Sequence, residues 1–283
     1  MEYIKAPMNY MGNKYRILGQ LQKYFPRKID LMVDIFCGGC DVIFNTDADI
    51  HIANDLNFFV TGIYREFQRI GVEKAIERID EAIRDWNLTK DNKEAYEAFR
   101  KHYNQTKKPL DLYVLMCYSF NYQFRFNSAH EYNNPFGKSR SSFNSVMREN
   151  LIRLKDVIER VRYTSRDFRD FDYDLMKRGD FCYADPPYLI TCGSYNDGKR
   201  GFKGWGEKDE KDLYDILDSL SGKGINFALS NVSCHKGNTN RILVDWYSER
   251  GYNVYNIQRN YDNCNYHLKN RGVETKEVLV TNY

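Results

Sequence analysis

The stretch Phe181-Cys182-Tyr183-Ala184-Asp185-Pro186-Pro187-Tyr188 constrains this chain most, because an apolar run of strand length stops at an acid and two prolines. Proline fixes its own φ and has no N–H for a ladder, so the strand ends at Asp185 and the backbone beyond it runs extended. A carboxylate, fixed carbonyls and a ring face are thereby presented together. Asp185 and the Pro186 carbonyl can accept the two N–H bonds of an exocyclic amine while Tyr188 stacks on a flat heterocycle, a description that adenine fits. Asp-Pro-Pro-Tyr is equally compatible with a plain strand-to-loop turn carrying an exposed acid, so its surroundings must decide.

Those surroundings begin at Tyr10-x-Gly12-Asn13-Lys14, a turn feeding a helix whose buried face is Ile17, Leu18, Leu21 and Phe25 and which Pro26 ends. Free N–H groups and a lysine there favour a carboxylate or phosphate, with a structural loop as the alternative. Leu31 to Phe36 reads as a strand, Cys37-Gly38-Gly39-Cys40 as a tight turn, and Asp41-Val42-Ile43-Phe44 as a helix start. Strand, glycine turn and helix make the first half of a nucleotide-binding unit, although no full G-x-G-x-x-G is present. Asp49 to Asn57 reads as a second strand, and its Asp55 falls about 17 residues after Gly38. That is close to the ~20-residue spacing at which an acid meets ribose hydroxyls, and a helix N-cap is a compatible second role.

From Thr61 to about Arg162 the pattern changes to charged, amphipathic helices over Val72 to Arg84 and Lys93 to Tyr103, and an apolar helix over Leu112 to Phe120. The apolar helix delivers a loop holding Arg125, Asn127, Asn133, Pro135 and Lys138 among aromatic side chains. Those residue types read base edges and phosphates, the alternative being a solvated loop with stacked rings. Tyr163 to Phe168 returns to strand character, and Asp167 and Phe168 could accept from an adenine amine and pack on its ring, or cap the next turn. After the Asp185 stretch, glycine-rich Leu189 to Gly206 has the composition of a loop that closes over a substrate. A helix is expected over Glu207 to Leu220, a strand over Ile225 to Asn231, a helix over Ile242 to Arg250, and strands over Gly251 to Ile257 and Glu277 to Tyr283. Basic Arg259 to Arg271 suits either contact with phosphates or a solvated hairpin tip.

The 283 residues carry a net charge of +3, which permits a nucleic-acid partner without announcing one. No leader pattern opens the chain and no apolar run approaches the ~20 residues of a bilayer span, so a cytoplasmic protein without a membrane partner is expected. Seven scattered cysteines do not make a disulfide scaffold. Cys37-x-x-Cys40 could be redox-active or half of a zinc site, but Gly-Gly between the cysteines suits a turn and no second close Cys or His pair completes a tetrahedron, so no metal is expected.

Taken in this order, the Tyr10 to Lys14 turn, Asp34-Ile35-Phe36-Cys37-Gly38-Gly39, Asn54-Asp55-Leu56-Asn57, Asn133-Asn134-Pro135-Phe136-Gly137 and Asp185-Pro186-Pro187-Tyr188 resemble the Dam-like (D12 class, alpha group) DNA adenine-N6 methyltransferases. The resemblance covers nearly the whole chain. It implies an α/β fold: a Rossmann-like S-adenosylmethionine-dependent methyltransferase sheet over 1–60 and 161–283, with an inserted, mainly helical target-recognition domain over 61–160. It implies S-adenosylmethionine bound by Tyr10, Lys14, Asp34, Phe36, Gly38, Asp55, Asp167, Phe168 and Asp185, and a flipped adenine held by Asp185, Pro186, Pro187 and Tyr188. It further implies that Arg125, Asn127, Asn133, Pro135 and Lys138 contact double-stranded DNA at a short recognition site, and it admits a cognate restriction endonuclease as partner. Cys40 stands where the family's F-x-G-x-G has its second glycine, and Asn13 stands within the family's G-G-K. Methyl transfer to RNA, to cytosine N4 or to a protein amide, and a non-catalytic DNA-binding relative, are the rival readings. The inserted region argues against other substrates, and Asp185 in place of serine favours adenine over cytosine.

Overall fold

The computed structural model describes residues 2–191, 204–258 and 275–283. Most of the glycine-rich loop and all of the basic Arg259 to Arg271 segment therefore lie outside the described residues. Within them the strands are β1 (Leu31–Asp34), β2 (Ile50–Asn54), β3 (Arg162–Thr164), β4 (Phe181–Ala184), β5 (Asn226–His235), β6 (Asn238–Thr239), β7 (Asn253–Ile257) and β8 (Thr275–Thr281). They form one sheet in the order β3-β2-β1-β4-β5-β8-β7, with β6 paired to β5. The first five are parallel neighbours, and β8 runs antiparallel between β5 and β7. β1 and β4 are buried at every residue, as parallel strands covered on both faces must be.

The helices are α1 (Leu18–Leu21), α2 (Asp41–Phe44), α3 (Phe58–Ile70), α4 (Val72–Asp85), α5 (Lys93–Thr106), α6 (Pro109–Tyr118), α7 (Ser145–Arg153), α8 (Lys155–Arg160), α9 (Glu207–Gly222) and α10 (Arg241–Arg250). The expected helix before Pro26 is instead three short pieces, because Ile17 leaves α geometry at φ −114° and ψ 4° and Gly19 gives little helical support. Its spacing nevertheless holds, since Ile17, Leu18, Leu21 and Phe25 are all buried. β1 and β3 stop two to four residues short of the apolar pattern, their ends having turned into loops.

Helices α3 to α8 all fall between β2 and β3. Asn57, Asn92 and Asn144 cap α3, α5 and α7 by accepting backbone N–H groups. Pro109 opens α6, which is buried from Leu112 to Tyr118, the signature of a helix surrounded by others. One apolar core runs without a break from Ile17, Leu18 and Leu21 through Phe181 and Tyr183 of the sheet to Tyr64, Tyr113 and Leu115 of the helices. The opposite sheet face is covered by α9 and α10 through Leu213, Leu217 and Trp246.

Candidate active site

Three acids stand at the same edge of three neighbouring parallel strands: Asp55 just after β2, Asp34 at the end of β1 and Asp185 just after β4. Strand order reverses between β1 and β4, which leaves a crevice at their carboxyl ends, the place where open α/β sheets bind ligands. Register puts Asp34 level with Ala53 and Tyr183. Asp34 is buried, and one of its carboxylate oxygens has no hydrogen-bond partner among the described residues. Burial first, then the charges of Asp185 and Asp55, push its carboxyl well above the usual carboxylate range.

The glycine turn is tied to β2. Cys37 N–H donates to the Asn54 carbonyl at 2.8 Å, and Gly38 N–H donates to Asp55 Oδ2 at 2.8 Å. Asp55 Oδ1 accepts from Asn57 N–H at 2.8 Å, so one carboxylate holds the turn and the start of α3 together. Tyr10 lies across this turn. Gly38 has φ +46°, and a Cβ there would sit 2.8 Å from Tyr10 Cδ1, so only glycine lets the ring close over the backbone. Cys40 takes φ 69°, a left-handed geometry that L residues adopt at a cost. Cys37 and Cys40 are buried free thiols, and burial pushes both upward, which keeps them protonated and unreactive.

Beside the turn lies an aromatic cluster. Phe36 meets Phe168 at 5.4 Å and Trp205 edge-on at 5.6 Å, and Phe168 meets Trp205 at 5.5 Å. The Arg169 guanidinium stands over Phe168 at 4.3 Å and is fixed by ion pairs to Asp167, Asp209 and Asp212. Asp167 is thus occupied locally, its Oδ1 accepting from Arg169 N–H at 3.0 Å and from the guanidinium at 3.1 Å.

Asp185 and Tyr188 face Lys14 and Glu277. Lys14 Nζ donates to Asp185 Oδ2 at 2.6 Å and to the Gly12 carbonyl at 3.1 Å. The Tyr188 hydroxyl lies 3.0 Å from Asp185 Oδ1 and 3.1 Å from Glu277 Oε1. Glu277 sits on β8, 2% exposed, with Oε1 3.9 Å from Lys14 Nζ. Burial pushes the Asp185 carboxyl up and the Glu277 charge adds to this, while the Lys14 ammonium pulls it back. Pro186 is buried and Pro187 exposed, as expected of prolines leading the chain out of the sheet.

The loop between α6 and α7 is held by bridges of Ser119 to Phe136 and of Phe126 to Tyr132. Arg125, Pro135 and Lys138 are exposed on it. The Asn127 side chain closes its turn, accepting from Ala129 and Glu131 N–H and donating to the Glu131 carboxylate at 2.7 Å. Asn133 N–H donates to the Arg125 carbonyl, and buried Asn134 donates to the carbonyls of Phe120 and Gln123. Asn134 and Gly137 anchor the loop: a Cβ on Gly137 would lie 2.6 Å from the Ser119 carbonyl oxygen.

The structure therefore brings Tyr10, Gly38 and Asp55 together at the turn, Phe36 and Phe168 in the aromatic cluster, and Lys14, Asp185 and Tyr188 at the carboxyl end of β4. Arg125, Asn127, Asn133, Pro135 and Lys138 form a separate group on the α6–α7 loop. Glu277 and Trp205 escaped the sequence reading. The signal for Glu277 was a carboxylate leading an otherwise apolar closing strand.

An acid-edged, mostly parallel sheet with a glycine turn after β1 and Asp-Pro-Pro-Tyr after β4 defines the class of S-adenosylmethionine-dependent methyltransferases. The family model for D12 class N6 adenine-specific DNA methyltransferases matches residues 10–263, and the chain belongs to that family. It is 47% identical over 99% of its length to the Type II methyltransferase M.FokI of Planomicrobium okeanokoites, and 47% identical over its full length to the modification methylase StsI of Streptococcus sanguinis. In each case it covers 43% of the relative, so the chain spans less than half the length of these curated proteins. It is also 23% identical to the DNA adenine methylase of Escherichia coli (strain K12), over 92% of this chain and 90% of that protein. No helix among the described residues is long and apolar enough to cross a membrane.

Proposed function

We propose that this chain transfers a methyl group from S-adenosylmethionine to N6 of an adenine within a short recognition site in double-stranded DNA, as the modification arm of a restriction-modification pair. The observation that carries this reading is the meeting of Asp185 and Tyr188 with Lys14 at the carboxyl end of β4, beside β1, which the glycine turn follows. Family membership and the names of the relatives support it. A cognate endonuclease as partner and a cytoplasmic setting follow from the same reading.

The residues present fit the cofactor. A turn that excludes Cβ atoms, an acid at the end of β2, an orphaned acceptor on Asp34 and an aromatic cluster suit, in order, close backbone approach, ribose hydroxyls, an ammonium group and adenine. Tyr10, Lys14, Asp34, Phe36, Gly38, Asp55, Asp167, Phe168 and Asp185 are the residues that would hold it. Bound there, S-adenosylmethionine supplies a methyl group already activated by its positive sulfur.

The chain's own work is alignment. The target adenine leaves the duplex stack at a cost of a few kcal/mol, and stacking on Tyr188 offsets roughly 1–3 kcal/mol of it. Asp185 and the Pro186 carbonyl accept the two N–H bonds of N6, which draws the amine toward a tetrahedral, nucleophilic form. Asp185 must be ionised for this. The helical segment 61–160 serves as the target-recognition domain on a catalytic unit formed by 1–60 and 161–283. Arg125, Asn133, Pro135 and Lys138 meet the duplex there, and Asn127 shapes the turn that presents them.

The test is single-base modification sequencing of DNA from cells that lack adenine methylation and express this chain. N6-methyladenine confined to one short motif is expected, and it supplies the recognition site at the same time. An absence of modified adenine overturns the proposal.

A further inference from the structure

We propose that Glu277 is a positioning residue for methyl transfer, the second acceptor to which Lys14 and Tyr188 turn when Asp185 takes up the amine of the target base. This rests on the reading of the site given above. Both oxygens of Asp185 are engaged by the protein itself, Oδ2 by Lys14 at 2.6 Å and Oδ1 by the Tyr188 hydroxyl at 3.0 Å. Two of its roughly four lone-pair positions are thereby taken, and a cationic neighbour at that distance weakens its pull on an amine hydrogen.

Glu277 relieves both constraints. Its Oε1 lies 3.1 Å from the Tyr188 hydroxyl and 3.9 Å from Lys14 Nζ. The phenol has one proton and two carboxylates within reach, so it can donate to Glu277 without moving its ring from the stacking plane. Lys14 needs only a short swing of its ammonium to exchange Asp185 for Glu277. The backbone of Glu277 is held in the ladder from both sides, opposite Val232 of β5 and Ile257 of β7, so its side chain is presented from a rigid element. A nearly fully buried carboxylate is costly unless it is paired, and the two groups that also hold Asp185 are among its neighbours.

The charges around Asp185 fix the sign of the effect. It is faced by Lys14 from the N-terminal turn, Glu277 from β8, Tyr188 from its own loop, Tyr183 from β4 and Asp34 from β1. Removing the negative charge at Glu277 lowers the Asp185 pKa and leaves Lys14 bound to Asp185.

The variant Glu277→Gln keeps the side chain's shape and an acceptor for the Tyr188 hydroxyl but not the charge. Its kcat is expected to fall about tenfold or more, with KM for DNA changed by less than about threefold and the acid limb of kcat moved to lower pH. Glu277→Asp restores the charge and is expected to return the acid limb toward wild type and recover part of kcat. A purely structural role predicts no shift of the limb and no such rescue. Wild-type kcat and an unmoved limb in Glu277→Gln overturn the proposal.

Carboxyl carbon-13 NMR of Asp185 in the substrate-free proteins reads the same electrostatics without turnover. A lower Asp185 pKa in Glu277→Gln is expected, and an unchanged one overturns the proposal. Because it needs no methyl transfer, its outcome is separate from a failure of the DNA-methylation reading, which the wild-type chain alone decides. Should Glu277→Gln not fold, the wild-type chain with S-adenosylhomocysteine and a duplex bearing the modified site provides the second measurement. A crystal structure of that complex is expected to show the Tyr188 hydroxyl and Lys14 Nζ on Glu277, and both remaining on Asp185 would overturn it.

Discussion

In the proposed mechanism Asp185 meets requirements that pull in opposite directions: it must be ionised to accept an amine hydrogen, yet it sits where burial and Glu277 favour its neutral form. The acid limb of kcat is therefore expected above the ordinary carboxylate range, with activity lost as pH falls through the raised pKa, which a pH–rate profile checks directly. Asp185→Ala is expected to lower kcat by about 10²–10⁴-fold while circular dichroism stays that of the wild type; near-normal turnover would remove Asp185 from the mechanism. Gly38 carries a different burden, since its place is steric and conformational together. At φ +46° and with Tyr10 Cδ1 only 2.8 Å from an added Cβ, Gly38→Ala must displace the ring that covers the turn. We expect it to weaken S-adenosylmethionine binding at least about tenfold in calorimetry and to cost about 1 kcal/mol of stability; unchanged affinity would mean that the turn does not cradle the cofactor.

Among the elements, α2 shows how a site is fastened to the start of the chain. Asp41, its first residue, accepts from Ala6 N–H at 2.8 Å, and its other oxygen has no partner among the described residues. Burial raises its pKa from 3.8 to about 6, against the smaller pull of the Ala6 N–H, Lys5 and Lys14. A raised carboxyl binds its proton more tightly in the folded state, so its contribution is fully present below about pH 4 and is lost as pH rises to about 6. Asp41→Asn, neutral at every pH, is expected to be the more stable protein above pH 6 by about 3 kcal/mol and to match wild type below pH 4; parallel melting curves across that range would refute the assignment. What could be read from sequence at this scale was whatever is local. Asp185-Pro186-Pro187-Tyr188, the Cys37 to Cys40 turn and Asp55 each announce themselves within a few residues, because proline, glycine and a strand-ending acid act on their own neighbourhood. The contact of Tyr188 with Glu277 spans 89 positions and depends on β8 entering the sheet antiparallel beside β5, which no local pattern encodes. The broken helix before Pro26 was hidden for a related reason: the apolar spacing of Ile17, Leu18, Leu21 and Phe25 sets the buried face, whether the backbone between them is α or 3₁₀. Asn127 carried the right residue type for base contact and yet spends its side chain on a turn with Ala129 and Glu131, two and four residues on, a local role that its residue type alone does not tell from base contact.

At the scale of the molecule, the helices between β2 and β3 do not stand apart from the sheet. Tyr64 of α3 donates to the Gly39 carbonyl at 2.7 Å and stacks on Tyr163 at 5.3 Å, Tyr113 of α6 reaches the Pro7 carbonyl, and one apolar core includes both regions. The helices between β2 and β3 and the sheet would then fold as one cooperative unit, with the α6–α7 loop held rigidly relative to Asp185. Two tryptophans report on this separately. Trp86 closes α4 against Phe99 and His102, whereas Trp246 stacks on Tyr214 on the far face of the sheet at 4.2 Å. With Trp205 and one of the other two replaced by phenylalanine, the remaining tryptophan follows urea unfolding of a single region. Coincident midpoints for Trp86 and Trp246, both equal to the far-ultraviolet transition, are expected of a two-state unit. Midpoints separated by more than about 0.5 M, at slopes of about 1–3 kcal/mol per M, would mean that the helices form an independently stable domain. In that case the shared tyrosine contacts would serve to orient the two regions, and residues 61–160 could be exchanged between relatives without loss of the catalytic sheet.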